Sequence, residues 1–93
     1  MGQYNKKQAL ALMKTRLNRA EADTSLDPYF THRIEAAAEK IERKGIVLTD
    51  SSEDLMLIVD QAVWDYQNRD KNARTPEWLR QAIRDRWVNQ DVT

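Results

Sequence analysis

Apolar positions recur at helical spacing in four separate stretches, and none alternates long enough to make an extended strand. In 6–18, Leu10, Met13 and Leu17 fall on one stripe, and Asn5 followed by Gln8 has the form of a capping box. Residues 19–27 turn polar. Asp27-Pro28 then predicts a second helix over 28–44, because Asp can cap free amides and Pro fits the first helical turn; Thr24 is an alternative start. Phe30, Ile34, Ala37, Ala38 and Ile41 build one apolar face of it. It is predicted to stop at Lys44, since Gly45 can take the left-handed conformation that closes a helix. Ile46 follows where a capping residue folds back onto Ile41. Ile46-Val47-Leu48 suits extended backbone but is too short to define a sheet.

Asp50 with Glu53 announces a third helix over 51–68. Leu55, Ile58, Val59, Ala62, Val63 and Tyr66 form its main apolar face, while Leu57 and Trp64 project almost the opposite way. A helix apolar on two sides either runs through the centre of a bundle or offers a second face to a partner. After a polar loop, Thr75-Pro76 caps and begins a fourth helix over 76–89, with Leu79, Ala82, Ile83 and Trp87 facing inward. The predicted fold is all-α, a compact bundle of about four helices in a single domain, 1–93, with flexible ends at 1–5 and 90–93.

Length and composition narrow the choices further. At 93 residues there is room for one core. No apolar run approaches the ~20 residues of a membrane span, and no secretory leader pattern is present. Without cysteine, the chain has no disulfides, thiolate metal sites or cysteine nucleophiles, and two glycines are too few for a glycine-rich phosphate cradle.

The net charge of zero hides a lopsided distribution. Residues 1–20 carry Lys6, Lys7, Lys14, Arg16 and Arg19 and no acid. Residues 21–65 hold eleven acids against Arg33, Lys40, Arg43 and Lys44, and 66–93 are again slightly basic. A basic end and an acidic middle suit head-to-tail contacts between copies; solvated helix faces are the bland alternative.

Nothing in the sequence forms a catalytic constellation. The lone His32 points towards solvent and has no orienting partner nearby. Glu35, Glu39 and Glu42 share a helix, but without Glu-x-x-His and with Lys40 and Arg43 interleaved they read as a solvated face. Neither a metal nor another cofactor is expected. Trp87 reads as core, Trp78 as packing against its preceding loop, and Trp64 as either interface or second-side core. Arg80 and Arg84, i and i+4 on the last helix with Arg74 just before it, suit phosphates or a neighbour's carboxylates, or a plain solvated face. Arg86 is expected to lay its stem along apolar surface and pair with an acid from another helix.

The order of segments resembles a known family. A short first helix precedes a helix reading Tyr29-Phe30…Ile34-Glu35-Ala36-Ala37…Ile41 with a Gly45 stop. A longer helix ends in Trp64-Asp65-Tyr66-Gln67-Asn68-Arg69-Asp70, and a Pro76-led helix follows. Over roughly 10–88 this is similar to the small all-helical head–tail connector (adaptor, or head-completion) proteins of tailed bacteriophages and prophages, with Tyr66-x-Asn68-Arg69-Asp70 its most suggestive piece. The segment between the second and third helices is shorter than the family pattern. The resemblance implies a non-enzymatic virion component, assembled in the host bacterial cytoplasm. Copies would form a homo-oligomeric ring beneath the portal protein, enclosing the DNA channel without reading sequence and docking tail or stopper proteins; no membrane is involved. The residues expected at contacts with neighbours are Lys6, Lys14, Arg16 and Arg19, together with Leu57, Trp64, Arg80 and Arg84. The competing readings are a small helical DNA-binding or regulatory module using 75–87, and a helical interaction subunit unrelated to phage.

Overall fold

The computed structural model describes residues 4–90 and is all-α: α1 Lys6–Arg16, α2 Asp27–Glu42, α3 Ser52–Gln67 and α4 Glu77–Val88. Among the described residues there is no strand. Each helix is slightly shorter than its apolar pattern suggested, and the local chemistry at the ends explains the difference. In α1 the Asn5 carboxamide accepts the Gln8 amide as expected, but the helix closes at Leu17 because Asn18 takes a left-handed conformation (φ 58°). Asn is one of the few residues besides Gly that tolerates that region. The Arg19 amide then donates back to the Lys14 carbonyl. α2 begins with Asp27 inside the helix rather than capping it, since that carboxylate is directed at Lys14. It ends at Glu42, two residues short of the predicted stop at Lys44, and a turn through Arg43 and Lys44 leads to Gly45, which takes the expected left-handed conformation at φ 93°. In α3 the cap is Ser51, accepting from the Asp54 amide, one residue later than the Asp50–Glu53 pairing indicated. α4 starts after Pro76 without a side-chain cap.

Helix α3 is the axis of the molecule. Leu57, Ile58, Val59, Ala62 and Val63 are buried around most of its circumference, and α1, α2 and α4 all pack on it. Burial on two sides is therefore met within the chain. Phe30, Ile34, Ala37 and Ile41 bring α2 onto α3 as its spacing predicted. α1 sinks Ala9 and Met13 fully and leaves Leu10, Leu12 and Leu17 half-buried against the core, because the small Ala9 allows closer approach than a leucine stripe would. Ile46 and Leu48 are buried and Val47 is exposed, so the short linker alternates like a strand. Helix α4 and the residues just after it supply its hydrogen bonds: the Gln90 side-chain carboxamide accepts from the Val47 N–H and donates to the Gly45 carbonyl, and Arg86 donates to the Val47 carbonyl.

Two inward expectations fail. Trp87 is 52% exposed, because α4 leans on α3 and the linker and leaves the side towards α2 open; its indole edges over Gly45. Trp78 is 56% exposed and is not covered by its preceding loop. Of the ends expected to be flexible, 1–3 and 91–93 lie outside the described residues. Tyr4 packs against the core, Asn5 caps α1, and Gln90 is bound to the linker. The molecule measures 43 × 29 × 17 Å, a flattened shape in which each helix keeps a solvent side.

Candidate functional site

Four of the five cations of the basic N-terminal segment, all but Lys7, are neutralised within the chain. Lys6 Nζ lies 3.0 Å from Glu35 Oε2, and that bond holds the Glu35 carboxyl below its usual range and the Lys6 ammonium above its own. Lys14 is buried: its Nζ donates to the Glu21 carbonyl at 2.9 Å and sits 3.0 Å from Asp27 Oδ1. Arg16 binds Asp60 on α3 at 2.5 Å. Arg19 lies 3.6 Å from Asp23 and over the Phe30 ring. The acidic middle that sequence charge assigned to a neighbouring copy is, for these four cations, the chain's own. Leu57 is likewise committed to the core, and Trp64 is half-buried against it.

The acid expected for Arg86 is Asp54. The guanidinium grips it with two bonds, Nε to Oδ1 at 2.6 Å and Nη2 to Oδ2 at 3.0 Å. Thr49 adds its amide and hydroxyl to Oδ2, both at 2.8 Å. Burial by itself raises the Asp54 pKa, but the bonds from Arg86 and Thr49 outweigh it and hold the carboxyl below the usual range. This clamp ties α4 to the start of α3. The Tyr66-x-Asn68-Arg69-Asp70 segment is a second lock. Asn68 donates to the Trp64 carbonyl and Arg69 to that of Tyr66, while the Arg69 guanidinium stacks 4.3 Å from the Tyr66 ring. Tyr66 in turn meets Phe30 edge-on at 5.3 Å.

A groove of about 870 Å³ lies between the end of α2 and α4, with Gln61 and Ile83 among its lining residues. Lys40 lines it from α2, and Arg43 and Lys44 from the turn just after it; Arg74, Arg80 and Arg84 line it from the loop before α4 and from α4 itself. Lys40 binds Asp65 at 3.0 Å and Arg80 lies 3.5 Å from the exposed Glu77. Among the described residues, Arg43, Lys44, Arg74 and Arg84 have no acid within ion-pairing distance. Trp87 also lines the groove. Of the predicted contact residues, then, only Arg80 and Arg84 come together. The α2 cations that join them were missed, because their interleaving with Glu39 and Glu42 suggested helical ion pairs. The available signal was the i, i+4 spacing of Lys40 and Lys44, which puts both on the flank away from that acidic stripe.

His32 is exposed, 3.5 Å from Glu35. Among the described residues no group of three or more His, Asp or Glu side chains is placed to hold a metal ion, and no helix is long and apolar enough to cross a membrane. Comparison with family models, with curated proteins and with solved structures finds no match to this chain.

Proposed function

We propose that the chain is a structural subunit without enzymatic activity: a head–tail connector that oligomerises into a ring below a portal protein, around the DNA channel, and docks tail or stopper proteins in the virion. The observation that carries this reading is the pair of exposed tryptophans on α4. Trp78 and Trp87 are nine residues apart, which at ~100° per residue places them on opposite flanks of the helix, and both are more than half exposed. Large aromatics of this kind supply the buried area of protein interfaces. Two unlike sticky flanks on one helix suit a heterologous contact, in which each copy uses a different surface towards each neighbour; such contacts make a ring where the rotation between copies closes and a filament where it does not. The resemblance of the 64–70 segment to the connector family supports the same reading. The charge argument for self-association supports it less than the sequence suggested, because most of that complementarity is used internally.

Gel filtration with light scattering, followed by electron microscopy of any large species, tests the proposal with the chain alone and with portal protein added. A closed ring in either condition is the expected result, and Trp78→Ala should remove it while the thermal melt changes little. A chain that stays monomeric at high concentration and with portal present would end this reading.

A further inference from the structure

We infer that the groove between α2 and α4 is a binding site for the phosphodiester backbone of nucleic acid, held by charge and without reading base sequence. The inference goes beyond the connector proposal and does not rest on it, since the groove is complete within one chain.

A chain of zero net charge has collected six cations and one acid, Glu77, around one concavity, and four of the cations have no acid within ion-pairing distance among the described residues. Such crowding is unfavourable in the absence of an anion, because like charges repel and focus a positive potential into the cleft. The dipole at the α2 C-terminus accounts for Lys40, Arg43 and Lys44. It does not account for Arg74, Arg80 and Arg84, which approach from the far side. Of the two partnered cations, Arg80 is only lightly held: Glu77 is 79% exposed, and an exposed pair of this kind is worth little.

The choice of anion follows from what this chain could offer as an alternative. In a second copy, Glu35 is bound to Lys6, Asp60 to Arg16, Asp65 to Lys40 and Asp54 to Arg86. Other exposed acids, such as Glu39, Asp50 and Asp70, lie on separate elements. The acidic strip of Glu35, Glu39 and Glu42 runs along one face of a single helix and has Glu35 tied to Lys6, so it cannot serve cations on two facing walls at once, whereas a phosphate backbone supplies evenly repeated charge. Four of the six cations are arginines, whose planar forks match phosphate oxygens. Trp87 offers a half-exposed ring in the groove on which an unstacked base can lie. Because Arg80 and Arg84 sit on a groove wall rather than on a projecting helix, insertion into a major groove is not the geometry here, and the binding should be indifferent to sequence.

Fluorescence anisotropy with short labelled single-stranded and duplex DNA, across a salt series, tests the site on the full chain. Four phosphate contacts predict slopes of log affinity against log salt of roughly −3 for the single strand and −4 for the duplex. Arg84→Gln should lower the magnitude by about 1, and the double reversal Arg43→Glu/Arg84→Glu should abolish measurable binding at moderate salt. Lys7→Gln, which removes an equal charge from exposed α1 surface, should leave the slope unchanged. If Trp87→Ala weakens only the single-strand arm, the phosphates belong to unpaired strands; if it weakens neither arm, they belong to duplex. Absence of salt-dependent binding in both arms, or equal loss from Lys7→Gln and Arg84→Gln, overturns the inference. So does binding of a glutamate-rich peptide, or salt-sensitive self-association, in the absence of DNA affinity. Light scattering on the same samples reports the ring separately; Trp87 serves both readings, so the variant that separates them is Trp78→Ala, outside the groove, which should remove the ring and leave DNA affinity unchanged.

Discussion

In α1 and the turn after it, Lys6, Lys14, Arg16 and Arg19 each reach an acid of the same chain, whereas across the groove Arg43, Lys44, Arg74 and Arg84 reach none among the described residues. The first set comes from one stretch without an acid and the second is scattered over more than forty positions, two of its four cations falling inside the acidic middle of the sequence. Local charge density along a chain and charge density on its surface are thus different quantities. Helix packing brings α1 against α2 and α3, where Glu35, Asp27 and Asp60 wait. The same packing leaves the α2 and α4 flanks facing each other across open solvent.

The contrast is sharpened by asking what each cation does for the fold. Arg86, the α4 cation that does find a carboxylate, should show the largest effect. Asp54 is fully buried, so Arg86→Ala strands an unpaired charge in the interior and should cost about 3–5 kcal/mol, read as a fall in melting temperature. The same pair sets an acid limit. The folded-state pKa of Asp54 is depressed, so the carboxylate's contribution is complete above the ordinary carboxylate range and is lost as pH falls through and below it. Acid unfolding of the parent should therefore steepen below about pH 4, and Asp54→Asn should be less stable at neutral pH with a shallower acid dependence.

Lys14→Glu comes next. Its side chain is 7% exposed and its partner Asp27 26%, so reversal sets two carboxylates together in a mostly buried place, at about 3 kcal/mol. For a domain this small that is a melting loss of roughly 12–24 °C. A melt within a few degrees of the parent would mean that Lys14 is a surface cation after all, and the distinction between the two basic regions would collapse. The smallest effect belongs to the groove: Arg43→Glu and Arg84→Glu should each change stability by no more than about 0.5 kcal/mol, because neither side chain holds the fold. A large loss from either would show that the groove cations are structural.

How far the site could be read in advance differs from residue to residue. Phe30, Ile34, Ile41, Ile58 and Ile83 declared themselves by spacing, and Gly45 by being the only glycine near a helix end, since both signals are local and repeat with the helical turn. The partner of Arg86 was legible only as an acid from another helix. Trp87 misled, because its spacing from Leu79 and Ile83 points it inward only if some element covers that flank, and none does. The Lys40, Arg43 and Lys44 wall carried an i, i+4 signal that local acids obscured.

By itself, then, the sequence determined four amphipathic helices, the approximate places where they stop, and the apolar faces they bury, because those follow from backbone hydrogen bonding and the 3.6-residue turn. Which cations are silenced and which remain free was decided only in three dimensions. An ion pair depends on distance between side chains from remote segments, and nothing in the linear order of charges fixes how closely two helices approach.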